Sequence, residues 1–131
     1  MSVRVTRSVW DGLLIEAARA APEECCGILL GREGLIEEGR SAANVALDRR
    51  RRFEIDPQAL IDAHRAARAG GPALIGYFHS HPAGPPGPSA TDRALASGDG
   101  SVWAIVAEPD VTFWRDEETG FVPLSYTIED R

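Results

Sequence analysis

The chain has 131 residues, 44% of them hydrophobic and 26% charged, which are ordinary proportions for one soluble globular domain. Disorder, collagen and coiled coil are excluded as descriptions of the whole, and no apolar run approaches the ~20 residues of a membrane-spanning helix. Fourteen basic residues against twenty acidic ones give a net charge of −6. That balance argues against general nucleic-acid binding, which is driven by phosphate neutralisation.

The first fourteen residues, MSVRVTRSVWDGLL, hold no apolar core followed by a small-residue cleavage site. The reading is a cytoplasmic protein of one domain, residues 1–131, with no membrane or nucleic-acid partner. All fourteen basic residues are arginine, so no side chain of this protein can accept a lysine isopeptide bond. The two cysteines, Cys25 and Cys26, are adjacent. Neighbours on a strand point to opposite faces, so a disulfide between them would be badly strained. With no Cys-x-x-Cys present, they read as packing residues in a reducing compartment.

Ser8 opens the first expected helix. Ser8-x-x-Asp11 fits a capping box, Trp10, Leu13, Leu14 and Ala17 share a face, and Pro22 ends the helix. Cys25 to Leu30 reads as a buried strand, and Leu35 to Ala43 as its partner across a turn at Glu33-Gly34. Arg49 to Arg52 is either a solvated loop or a docking patch for an acidic partner. A short strand, Phe53 to Ile55, follows. Asp56 caps a helix with Pro57 at its first position, and Gly70-Gly71 stops it. His64, within that helix, reads as an ordinary helix residue.

Ala73 to Phe78 is a further apolar strand, running into His79-Ser80-His81. Pro82 to Pro88 holds four prolines and two glycines in seven residues and forms a rigid loop. Ser89 starts a helix ending near Gly98, Ser101 to Ala107 is a buried strand, and Val111 to Trp114 with Phe121 to Ile128 form a closing hairpin. Strands and helices interleave. The expected class is α/β, a three-layer sandwich with a central mixed β-sheet flanked by helices.

His79 and His81, at i and i+2, share a strand face, with bases roughly 6–7 Å apart. Two imidazoles so placed can converge on one ion at about 2.0–2.1 Å each. Eleven residues later stands Asp92, on the first turn of a helix. Two histidines and a carboxylate suit a catalytic zinc, which keeps an open position for water. Such a site also needs a base for the water's proton and a donor for the oxyanion. Glu24, at the mouth of the first buried strand, is the candidate base, and desolvation there would raise its pKa. Ser89, three residues before Asp92, is the candidate donor. Ser89-x-x-Asp92 is also a capping box, and one carboxylate oxygen can cap while the other ligates.

Glu24 ahead of Cys26-Gly27, then His79-Ser80-His81-Pro82, six residues, Ser89, two residues and Asp92, resembles the pattern of the JAMM (MPN-plus) zinc metalloprotease family. The resemblance runs from about Ser8 to Ala107, and Phe53 to Pro57 looks like a stretch of its short prokaryotic members. It implies the JAMM/MPN fold, with a cytidine-deaminase-like architecture. It also implies one zinc (Zn2+) per chain on His79, His81 and Asp92, with Glu24 as general acid/base and Ser89 stabilising the tetrahedral intermediate. The family register, two residues before Gly27, selects Glu24 over Glu23.

The implied reaction is hydrolysis of the peptide or isopeptide bond after the C-terminal glycine of a ubiquitin-like or sulfur-carrier protein with a Gly-Gly tail. The chain has no room for the long insertions with which eukaryotic relatives grip polyubiquitin. The tail is expected to add to a sheet edge as an extra strand, with glycine next to the cleaved bond. A catalytically inactive scaffold of the same fold is the alternative. A zinc deaminase would need His-x-Glu and Pro-Cys-x-x-Cys, both missing here.

Overall fold

A computed structural model describes residues 2–131. The elements in order are β1 (Ser2–Thr6), α1 (Arg7–Ala20), β2 (Cys26–Arg32), β3 (Leu35–Ala42), α2 (Pro57–Arg68), β4 (Ala73–Ser80), α3 (Ala90–Leu95), β5 (Val102–Ala107), β6 (Asp110–Glu117) and β7 (Gly120–Glu129).

The class is α/β with a mixed sheet, as expected. Helices lie on two faces: α1 buries Val9, Leu13 and Ala17, whereas α2 packs Ala63 against Ile28 and Leu30. Each large apolar side chain so covered contributes about 1.5–3 kcal/mol. The sheet is closed, which the expectation of a central layer in a three-layer sandwich did not include. Its strands run β1-β3-β2-β4-β5-β6-β7, and the ends meet, because β1 is parallel to both β7 and β3. The physical reason is α1, which packs against β1, β3, β4, β5 and β7. A sheet curling around one helix brings its edges together.

Strand β1 was not expected from the sequence, although Val3 and Val5 alternate inward. It also moves the helix start. Thr6, not Ser8, is the N-cap of α1, its hydroxyl accepting from the Val9 amide, and Ser8 bonds the Arg131 carbonyl instead. The Phe53–Ile55 strand reduces to one bridge between Asn44 and Ile55. Helix α3 stops at Leu95, short of Gly98, because the buried Asp116 carboxylate takes the amides of Ser97 and Gly98 at 3.0 and 3.1 Å. The β2–β3 turn falls at Glu33-Gly34, where Gly34 adopts φ 77°. Gly27 serves by its lack of a side chain: a Cβ there would collide with the Phe78 ring and the Arg40 carbonyl.

The strand register positions the site. Antiparallel pairing sets Cys26 opposite His79, and two bonds continue it: the Ser80 amide donates to the Cys25 carbonyl and the Cys25 amide to the Ser80 hydroxyl. Glu24 thereby arrives beside His81. Cys25 and Cys26 are both buried and unpaired, and they pack into separate clusters, as opposite-facing neighbours should.

Candidate active site

His79 is the penultimate residue of β4 and has no exposed surface; His81 follows the strand's end and is almost as buried. Their Nε2 atoms lie 3.1 Å apart. Asp92, on the first turn of α3, reaches both: Oδ1 is 3.0 Å from His79 Nε2, and Oδ2 is 3.0 Å from His81 Nε2. Tetrahedral zinc with bonds of 2.0–2.1 Å spans ligand separations of about 3.3 Å, close to each of these distances.

The ring orientations have identifiable causes. His81 Nδ1 lies 2.9 Å from the Pro85 carbonyl. With Nδ1 donating there, Nε2 faces inward, the direction a metal would need. The proline loop is held in turn by the Thr112 hydroxyl, which donates to the Pro86 carbonyl. His79 Nδ1 is buried with no hydrogen-bond partner among the described residues. Aromatic packing orients that ring: Phe53 stacks on it and Trp103 meets it edge-on.

Ser89 and Asp92 form a complete capping box. The Ser89 hydroxyl accepts from the Asp92 amide at 3.0 Å, and Asp92 Oδ2 accepts from the Ser89 amide at 2.9 Å. The cap leaves the carboxylate in reach of both imidazoles: Oδ2 caps and also meets His81, while Oδ1 meets His79. Because the Ser89 hydroxyl accepts from the helix, its own proton is free to point elsewhere.

Glu24 is also buried, and its Oε1 has no partner among the described residues. One ligand atom each of Glu24, His79 and His81 lie within 4.8 Å of one another. This grouping overlaps the tighter one made with Asp92. Asp92 lies nearer the two imidazoles, at 3.0 Å from each, than the 4.8 Å within which Glu24 falls. Glu23 is half-buried and pairs with Arg49, and His64 is exposed on α2, so neither joins the site.

The charges follow from burial and neighbours. Burial, and then the nearby Asp92 and Asp48, push the Glu24 carboxyl up to about 7 against the pull of His81. Burial also lifts Asp92, but hydrogen bonds from His79 and His81 outweigh it and hold Asp92 well below the usual carboxylate range. Burial pushes His79 down. At His81 burial pushes the same way, but bonds to Asp92 and Pro85 prevail and raise it.

Two residues important to this geometry were given no place at the site by the sequence. Asn44 Nδ2 donates to the carbonyls of Glu24 (3.0 Å) and Arg52 (3.1 Å), while its Oδ1 accepts from the amides of Ala46 and Glu54. Phe53 looked like a strand residue and is the face on which His79 rests. Only the structure shows that the loop at 44–53 folds back over β4.

The fold and this constellation together define a metallohydrolase of the JAMM type. The chain belongs to the family of prokaryotic homologs of the JAB domain, whose model matches residues 6–117. It is 36% identical over 127 residues to a desampylase of Haloferax volcanii, covering 91% of each chain. A probable TtuB-protein conjugate cleaving protease of Thermus thermophilus is 33% identical over 118 residues, covering 90% of this chain and 74% of the relative. The solution structure of a Desulfitobacterium hafniense protein superposes with a TM-score of 0.87 at 28% identity, covering 98% of this chain and 94% of that one.

Proposed function

We propose that this chain is a zinc-dependent isopeptidase that cuts the bond after the C-terminal glycine of a ubiquitin-like or sulfur-carrier protein. The observation that carries the reading is the convergence of His79 Nε2, His81 Nε2 and the Asp92 carboxylate, with a buried Glu24 carboxylate oxygen within 4.8 Å of the two imidazoles. Similarity to a desampylase and to a conjugate-cleaving protease supports the substrate class.

His79, His81 and Asp92 would hold one zinc per chain. Bound there, the ion would polarise the scissile carbonyl and acidify water. Glu24 takes the proton of the attacking water and returns it to the leaving amine; a carboxyl poised at about 7 can do both near neutral pH. The Ser89 hydroxyl donates to the oxyanion that develops on the carbonyl. One domain, residues 1–131, carries the whole reaction. A cytoplasmic setting suits its two free cysteines. No helix among the described residues is long and apolar enough to cross a membrane.

The route of the tail differs from the sequence-based expectation. The strands that carry the site offer no free edge, because the segment continuing β3 is paired: Val45 donates to Glu54, and Asp56 donates to Ala43. The tail instead lies in a cleft of about 220 Å³ between the proline loop and the arginine loop, floored by Glu24, His81 and Ser89. Its loop wall is Pro82, Ala83, Gly84 and Pro85, so a narrow backbone such as glycine fits best.

Little side-chain burial is available from such a tail, and the folded body of the substrate must add affinity. The test compares a tail peptide with a full ubiquitin-like fusion, with zinc present. Faster cleavage of the fusion, lost when its terminal Gly becomes Leu, is expected. Faster cleavage of the free peptide, or indifference to the Leu change, contradicts the substrate model.

A further inference from the structure

The cleft has one charged wall, formed by the arginine run. Arg50 and Arg51 line it opposite the proline loop, beside Glu24 and Ser89. Within the run, Arg49 pairs with Glu23 at 3.3 Å, and Arg51 lies 3.8 Å from an exposed Asp48. Arg50 and Arg52 have no ion-pair partner among the described residues. All four are exposed. The protein as a whole carries a net charge of −6, so a concentration of cations at the mouth of the cleft runs against the charge of the molecule.

The loop is also fixed relative to the site. The Glu24 amide donates to the Arg49 carbonyl at 2.7 Å, and the Asn44 side chain ties the Arg52 carbonyl to that of Glu24. One end of the run is thus bonded directly to the residue proposed as base, and the other is tied to it through Asn44. A solvated loop needs no such attachment. A wall that must meet a substrate at a set distance from the cleaved bond does.

We infer that Arg50 and Arg51 select a tail that carries acidic side chains just upstream of its terminal glycines. The inference rests on the proposed function and deepens it. In a conjugate the acyl side, the ubiquitin-like tail, is constant, while the leaving side changes with the target. Selectivity must therefore be read on the tail. The terminal glycines offer no side chain, and the proline loop offers no charge, so the residues before the glycines are what the arginines can grip. Guanidinium forks suit carboxylates, and in an exposed cleft each pair adds a modest increment.

The test uses one ubiquitin-like body with two tails, Glu-Glu-Gly-Gly and Gln-Gln-Gly-Gly, joined to the same leaving peptide. Wild type is expected to favour the acidic tail by roughly tenfold in kcat/KM, mainly through KM, with the preference shrinking as salt rises. Arg50→Gln/Arg51→Gln is expected to cut both tails alike. Arg65→Gln/Arg68→Gln, which removes the same charge from α2, is expected to keep the preference. Equal rates on both tails in wild type, or a preference that survives in the Arg50/Arg51 variant, overturns the inference.

Binding of the same two fusions to the Glu24→Gln protein, followed by fluorescence anisotropy, separates the two failures. Charge-selective binding without cleavage by wild type would defeat the proposed reaction and leave the arginine wall standing. Cleavage with no charge selectivity in either assay would do the reverse. A preference set by Glu on the leaving side, absent on the tail side, also overturns the assignment.

Discussion

The imidazole of His79 lies face to face with the ring of Phe53, centroids 4.2 Å apart and planes 18° from parallel. The stack does for His79 what the Pro85 carbonyl does for His81: it fixes the direction of Nε2. Phe53→Leu keeps an apolar side chain but loses the flat face. Zinc affinity is expected to fall about tenfold, in the range for lost support of a ligand. Competition with a chromophoric chelator measures it. Unchanged affinity would mean that the strand alone orients His79.

Asn44 makes four hydrogen bonds with one amide. Asn44→Asp keeps the acceptor but turns a donor into an oxygen facing the carbonyls of Glu24 and Arg52. Two lost bonds of about 0.5–1.5 kcal/mol each, plus that repulsion, give an expected loss of about 2–3 kcal/mol in urea unfolding. Turnover is expected to drop as well, because Glu24 loses its anchor. A variant with full stability and full activity would remove Asn44 from the account of the site.

Much of the site was legible because its elements are short-range. His79 and His81 share a strand end, and Ser89 and Asp92 share a helix turn, so spacing alone brings each pair together. Glu24 is fifty-five residues from His79, and no local pattern could place it; family resemblance supplied it, and the Cys26–His79 register explains it. Asn44 and Phe53 escaped because their roles depend on a loop folding over β4. Closure of the sheet escaped for a similar reason. The β1 contacts with β7 join the two ends of the chain, a pairing that hydrophobic alternation cannot reveal.

Glu24→Gln is expected to keep the fold and the metal and to lose about 10²–10⁴-fold in rate, because an amide cannot take the water's proton. Stability should change with pH. Burial raises the folded value of Glu24 to about 7. Such a group's contribution is fully present below its unfolded value near 4.3 and is lost as pH rises through about 7. The full linkage value of about 3.7 kcal/mol, discounted for partial solvent screening, gives an expected loss of roughly 2–3 kcal/mol between pH 4 and pH 8 in metal-free wild type and none in the Gln variant. Asp92 works in the opposite sense. Its folded value is lowered, so its contribution is present above about 4 and fades in acid. Denaturant melts of both proteins across this range measure the difference. Parallel pH curves would show that Glu24 is not held protonated by burial.

Ser89→Ala removes a cap and a donor together. The cap costs about 1 kcal/mol of stability. The donor costs about 10²–10³-fold in kcat if it meets the oxyanion. Ser89→Asn restores a capping oxygen and distinguishes the two roles: recovered stability without recovered turnover is expected. Full turnover in Ser89→Ala would confine Ser89 to the helix cap.

The metal content of the purified chain, after loading with zinc and removal of the excess, tests the assignment most directly. Wild type and Glu24→Gln are expected to retain one zinc per chain by elemental analysis, and His79→Ala/His81→Ala none. Full occupancy in the double histidine variant, or an empty wild type, would contradict a zinc site built from His79, His81 and Asp92.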